Sequence, residues 1–268
     1  MFARIRHVAV YTENHQRMAN FYKTVFGMRK ITTGMTDEKG NYDSTRGHIS
    51  DGVIGLALLQ RHAGTRPGLD HFGFEVQDIE TVRERLRRKY PQARVAKSLD
   101  HVPFAVTRIV DPSGTHIDVS QKGVAKVREG YLEEGWDQPR HLHHLAIFAA
   151  NPTLLADFYE EIFELTRLET APNFDCLSDG KVSLLIRPCE NTSYRSMTEG
   201  LEHIGFKVES LEQARSDIDA FEKSFPDGAP RKLELGRYGK STQEELEACP
   251  LGRHAMADPD GVLLDLFE

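Results

Sequence analysis

The sequence predicts an α+β fold of four βαβββ modules paired into two similar domains. Three observations carry that expectation. The chain has 268 residues, a length that suits about two domains. A set of short motifs occurs twice in the same order. At matching places after those motifs, apolar alternation of period two gives way to the i, i+3, i+4 spacing of amphipathic helices.

The repeat is read directly. GLDHFGFEV at 68–76 returns as GLEHIGFKV at 200–208, and the run from His7 to Tyr11 returns from His144 to Phe148. Phe21-Tyr22 follows the first histidine at the spacing at which Phe158-Tyr159 follows the second. Asp51-Gly52 recurs as Asp179-Gly180, and the Asp-Pro-Ser-Gly run of 111–114 as the Asp-Pro-Asp-Gly run of 258–261. Similar offsets that differ between motifs mark a duplicated domain with loop insertions. The additional residues of the second copy are expected between Pro226 and Leu251, a polar, Gly-rich stretch. The domains are therefore 1–122 and 140–268, with 123–139 as connector. The connector's glycines and charges accompany Val124, Val127, Tyr131 and Trp136, which are apolar enough to pack on a domain surface.

Within the first domain, His7 to Tyr11 alternates as a strand. A helix follows from about Asn14 to Phe26, with Met18, Phe21, Tyr22 and Val25 on one face and Gly27 as its stop. Strands continue to Leu59. His71 to Val76 opens the next module, Asp78 caps a helix bearing Ile79, Val82 and Leu86, and strands run on to Val119. In the second domain Asn151-Pro152 is an N-cap with proline at the first helical position. Ser210 with Gln213 fits a capping box. The order β-α-β-β-β is thus expected four times.

Composition narrows the function classes. Hydrophobic residues at 39% support packed cores, and a net charge of -7 opposes a partner held through nucleic-acid phosphates. The basic run from Arg83 to Lys89 has helical spacing and reads as a solvated face. No segment has the apolar length of a membrane span, and the start, MFARIRHVAVYT, has no apolar h-region. Cys176, Cys189 and Cys249 are odd in number and form no CxxC pair, so free thiols in a reducing cytoplasm are expected. Walker, GxGxxG and GxSxG motifs are absent.

On strands, residues two apart share a face. One face then holds His7, Ala9 and Tyr11; a second holds His71, Gly73 and Glu75; a third holds His116 and Asp118. The small residues leave room beside the histidines. A single histidine on a strand is more often a hydrogen-bonded core residue than a ligand.

The first-strand histidine, the helix ending near Phe-Tyr before a short turn, and the closing Asp-Pro-x-Gly strand resemble the glyoxalase, bleomycin-resistance and extradiol-dioxygenase group, the vicinal oxygen chelate superfamily. The resemblance covers nearly the whole chain and implies two half-barrel domains of that type. It is specific for fold and weak for reaction, since one fold hosts many chemistries. In that family, metal ligands come from the first strand of each of two modules and from the closing strand, four residues after the glycine. Carried over, site one is His7, His71 and Asp118, and site two is His144, His203 and Asp265. The family's usual third ligand is glutamate; aspartate is one methylene shorter. Two imidazoles and one carboxylate form the facial set of non-heme Fe(II) enzymes, and the same donors hold Zn, Mn, Ni or Co. Six matching positions in two copies outweigh the core-histidine reading.

The resemblance also implies catalytic groups at site one. Extradiol members carry a histidine, then a tyrosine three residues before Asp-Pro; here His101 fits the histidine and Arg108 stands for the tyrosine. His101 and His116 are the candidates for proton transfer, Arg108 for holding an oxyanion, and His116 alternatively for a fourth ligand. The plain alternatives are a surface histidine at 101 and a sheet-edge ion pair at 108. Site two has Ala255 in place of Arg108, Lys207 in place of Glu75, and a neighbouring His254; His143 is expected to be structural.

The implied function is a metal-dependent enzyme. The first form is an Fe(II) ring-cleaving dioxygenase acting on a catechol-like or other vicinal-oxygen small molecule together with O2. A glyoxalase-type lyase, isomerase or transferase is the second, and a non-catalytic binder of the resistance-protein kind the third. Neither nucleic acid nor membrane is an expected partner, and assembly into a homo-oligomer is left open.

Overall fold

The computed structural model describes residues 1–31, 47–66, 68–98, 103–124, 131–132, 134–168, 174–189, 198–233, 240 and 254–268; of His254 and Ala255 it describes the backbone alone. The histidine at 101, Val127 and Cys249 lie outside the described residues.

The first domain is one eight-stranded sheet. Its strands are β1 (Ala3–Thr12), β2 (Arg29–Lys30), β3 (Gly47–Ser50), β4 (Gly55–Gln60), β5 (Gly68–Val76), β6 (Val95–Lys97), β7 (Thr107–Val110) and β8 (His116–Gln121). Helices α1 (His15–Phe26) and α2 (Ile79–Lys89) follow β1 and β5. The strand order is β2-β3-β4-β1-β5-β8-β7-β6. Each module's first strand lies parallel to its last, and β1 and β5 meet antiparallel at the centre. The second domain repeats the plan with β9 (His141–Ala149), α3 (Pro152–Phe163), β10 (Thr166–Leu168), β11 (Asp175–Ser178), β12 (Ser183–Pro188), β13 (Gly200–Lys207), α4 (Leu211–Ser224), β14 (His254–Ala257) and β15 (Leu263–Phe267). Among the described residues its fourth module has two strands after the helix, and 234–239 and 241–253 lie outside those residues.

The helix ends follow their local chemistry. The side chains of Asn14, Asp78, Asn151 and Ser210 each accept a backbone N–H of the first turn, satisfying donors that the helix cannot. Gly27 ends α1 with φ of 70°, a conformation glycine adopts without a Cβ penalty. The connector is only partly apolar in contact. Tyr131 and Trp136 pack with Ile31 and Phe104, but Val124 is half-exposed, contrary to expectation. Gly52 is required at the point where Trp136 crosses it, since a Cβ there would lie 2.4 Å from the Trp136 backbone nitrogen.

The two domains share one continuous hydrophobic core. Phe26 of α1 stacks on Phe206 of β13, and Phe163 of α3 stacks on Phe74 of β5, each at 4.0 Å between ring centres. Beside them, Tyr22 donates its hydroxyl to Asp258 at 2.9 Å, and Tyr159 donates to Asp111 at 2.5 Å. Both aspartates also accept backbone N–H groups of their own Asp-Pro-x-Gly turns. The motif that marks the repeat therefore both folds a turn and receives the other domain's helix. Removing one such donor leaves a buried carboxylate short of a partner, at a cost of about 2 kcal/mol. Tyr22→Phe is expected to lower unfolding free energy by that amount in urea titration, with metal binding preserved.

Candidate metal centres

The strand pairing builds the same arrangement in each domain. On the β1–β5 ladder His7 stands opposite Gly73, and His71 opposite Ala9. On the β9–β13 ladder His144 stands opposite Gly205, and His203 opposite Ala146. The parallel neighbours then bring Asp118 beside Gly73 and Asp265 beside Gly205. Each histidine thus faces a residue too small to fill the space above the sheet. The glycines are needed: a Cβ at Gly205 would lie 1.8 Å from the His144 ring, and one at Gly73 would lie 2.6 Å from the Asp118 carbonyl oxygen.

Two groups of donors result, His7, His71 and Asp118 in one and His144, His203 and Asp265 in the other, each with its donor atoms within 4.8 Å of one another. At site one, Nε2 of His7 and His71 are 3.3 Å apart, and Asp118 Oδ2 is 3.2 Å from His71 Nε2. At site two, Nε2 of His144 and His203 are 3.4 Å apart. The three residues of site two are 0% exposed, whereas those of site one are 4–5% exposed.

The carboxylate preceding the second histidine was not singled out from the sequence. Asp70 meets His71 Nδ1 at 2.6 Å, and Glu202 meets His203 Nδ1 at 2.9 Å. A partner on Nδ1 fixes the tautomer that leaves Nε2 free as a donor to metal. The signal was present as the acidic residue shared by GLDH and GLEH. Asp70→Ala is expected to weaken metal binding at site one by about 10–100-fold, read by metal titration.

Charge distinguishes the two sites. Burial, reinforced by the neighbouring His71, pushes the His7 pKa well down and keeps its imidazole neutral. Burial and His203 do the same for His144. At His71 burial works downward, but the hydrogen bonds that its ring donates to Asp118 and Asp70 outweigh it and raise the pKa. Burial alone would raise Asp118; its bonds to His71 and Arg108 hold it below the usual carboxylate range. Arg108 pairs across the β7–β8 ladder with Asp118, donating Nε to Oδ1 at 2.6 Å, and its Nη2 comes to 3.4 Å from His71 Nε2. One oxygen of Asp118 thus faces the histidines while Arg108 holds the other. At site two the corresponding ladder position is Ala255, opposite Asp265.

The other expected residues are placed as follows. His116 opens β8 beside His71 but is exposed and stands outside the donor group. Lys207 is exposed at the end of β13. His143 stacks edge-on with Phe267 and lies 3.5 Å from His144 Nδ1; burial, with His141 and Lys207 nearby, lowers its pKa to about 4. Two residues join site one that the sequence reading passed over. Phe104 stacks on the His7 ring at 4.9 Å, and the buried His48 lies parallel to it at 6.3 Å. The repeat of His-Ile-Ser-Asp-Gly at 48–52 as Cys-Leu-Ser-Asp-Gly at 176–180 could have marked His48.

The donor sets fit a divalent cation. Donors held by one ion at about 2.1 Å and near right angles lie about 3 Å apart, close to the separations above. Two neutral imidazoles and a carboxylate also suit the N and O preferences of first-row divalent metals.

A family model described as the Glyoxalase/Bleomycin resistance protein/Dioxygenase superfamily matches residues 4–119 and 141–266. No curated protein sequence matches the chain significantly. Among solved structures, the 2,3-dioxygenase LapB from Pseudomonas sp. KL28 is similar with a TM-score of 0.62 and 16% identity, over 98% of this chain and 91% of that one. The Mn(II)-bound glyoxalase from Novosphingobium aromaticivorans is similar with a TM-score of 0.64 and 13% identity, over 99% and 81%. A variant of homoprotocatechuate 2,3-dioxygenase from Brevibacterium fuscum gives 0.63 and 14%, over 100% and 71%. At these identities the likeness is one of fold.

Proposed function

The chain belongs to the glyoxalase/bleomycin resistance protein/dioxygenase superfamily as a two-domain member, and on that premise we propose that it is a metal-dependent enzyme, an Fe(II) ring-cleaving dioxygenase for a catechol-like small molecule. The observation that carries this reading is the convergence of His7, His71 and Asp118, with one oxygen of Asp118 held by Arg108 and the other facing the histidines. His7 Nε2, His71 Nε2 and Asp118 Oδ2 would hold the metal. When bound, iron supplies Lewis acidity toward two neighbouring substrate oxygens and the redox chemistry that O2 requires.

The residues around it do the rest. Asp70 fixes the His71 ring. Phe104 stacks on His7 and keeps water from that side. Arg108 is the cation placed to receive an anionic substrate oxygen. Proton transfer from the substrate hydroxyl is assigned to His101 or His116, each of which carries an imidazole able to accept a proton and return one. Site one is the reactive centre in this reading, because its ligands retain some exposure while those of site two have none.

Arg108 also favours a second reading, a glyoxalase-type lyase or isomerase. A guanidinium on the ligand carboxylate supports an enediolate oxygen without any need for O2. The experiment that tests the first reading is anaerobic loading with Fe(II), followed by catechol-type substrates in an oxygen electrode with mass analysis of the product. Equimolar O2 uptake with both oxygen atoms added to the substrate supports ring cleavage. Turnover without O2 uptake under Mn, Ni, Co or Zn replaces it with the second reading.

A further inference from the structure

The two first strands share an irregularity. On the β1–β5 ladder Ile5 faces Phe74 and His7 faces Gly73, so Arg6 is an extra residue. On the β9–β13 ladder Leu142 faces Phe206 and His144 faces Gly205, so His143 is extra. A bulge bends its strand and re-aims the side chains beside it. Each of these stands immediately before a histidine of a metal centre.

The backbone just ahead of each bulge is gripped from the other domain. Ile5 N donates to Asp179 Oδ2 at 2.6 Å, and Leu142 N donates to Asp51 Oδ2 at 2.8 Å. Asp51 and Asp179 are 1% and 0% exposed. Their other oxygens close the home turns, and that of Asp179 also lies 3.8 Å from Arg4 Nη1 of the first domain. Asp51 Oδ1 accepts from Val53 and Ile54, and Asp179 Oδ1 from Lys181 and Val182, all backbone N–H groups at 2.8–2.9 Å. Each Asp-Gly turn is therefore closed by one carboxylate oxygen and reaches across the interface with the other. Arg6 adds a second anchor at site one, donating to the carbonyls of Val53 and Leu132.

We propose that Asp179 positions His7 and Asp51 positions His144, so that each domain's Asp-Gly turn sets the metal geometry of the other domain. This rests on the reading of both histidines as metal ligands. Neither aspartate touches a donor atom of the site; both act through the bulge. The duplication supplies two independent instances of one contact, which a chance surface interaction would not.

Asparagine is the discriminating substitution. Its carbonyl oxygen can still close the home turn, while its amide NH2 would face the N–H of the other strand, donor against donor. Co(II) affinity is measured by anaerobic calorimetry on the full chain, in a His203→Ala background to report site one and in a His71→Ala background to report site two. Asp179→Asn is expected to weaken site one by about 10-fold or more and leave site two unchanged, and Asp51→Asn to do the reverse. Imidazole NMR signals of the metal-free chain provide a second readout: His7 should shift in Asp179→Asn, and His144 in Asp51→Asn. Equal weakening of both sites by either variant, or no change in either, overturns the proposal. If the parent chain binds no Co(II) at all, the ligand reading falls, and the imidazole signals alone decide whether the aspartates position the rings.

Discussion

His71→Ala is expected to abolish turnover and release the metal of site one, whereas His203→Ala leaves substantial turnover. His71 Nε2 lies within 3.3 Å of both other donors, so its loss leaves His7 and Asp118 as a pair that cannot fix a coordination geometry. The loss should exceed the about 10–100-fold in affinity that removal of an outer-shell partner costs. Asp118 would then be left with Arg108, whose Nε it already meets at 2.6 Å through Oδ1. The three donors of site two are 0% exposed, against 4–5% for those of site one, and on this difference catalysis is assigned to site one. Steady-state kinetics with metal analysis on both variants checks this. Equal loss of activity from the two changes would remove the assignment of catalysis to site one.

Gly205→Ala carries the second large effect. The added methyl would fall 1.8 Å from His144 Cε1 and 2.2 Å from its Nδ1. The His144 ring is fully buried and held against His203, so it cannot swing aside cheaply. Overpacking of this kind costs about 1–3 kcal/mol. The variant should lose that much stability and the metal of site two, and keep the metal of site one. Chemical denaturation together with metal stoichiometry reads both. Retention of two metals per chain would mean that His144 is not a ligand.

Much of this was legible in the chain because it is written twice. The period-two alternation around His7 and His144, and the recurrence of GLDH as GLEH, set the strands and their facing residues. The small residues opposite the histidines follow from that alternation, and the ladders place Gly73 and Ala9 opposite them. What was not legible depends on how strands from distant segments meet. Asp51 and Asp179 read as turn residues, and nothing local says that the second oxygen of each crosses to the other domain. Tyr22 and Tyr159 read as the ends of apolar helix faces, and their hydroxyl partners lie more than half the chain away or in the opposite copy. Arg108 was legible as a substitution for the family's tyrosine, but its grip on Asp118 emerges only from the β7–β8 register. Val124 lies in the turn after β8 and is 50% exposed, a placement that its apolar side chain did not announce.

Everything proposed for site one depends on His7, His71 and Asp118 holding a divalent metal. The most direct measurement is an anomalous difference map at the iron edge, from crystals grown anaerobically with Fe(II). A peak is expected between His7 Nε2, His71 Nε2 and Asp118 Oδ2, with Arg108 remaining on Asp118 Oδ1. A map without density between these three atoms, with Arg108 reaching His71 instead, would contradict it.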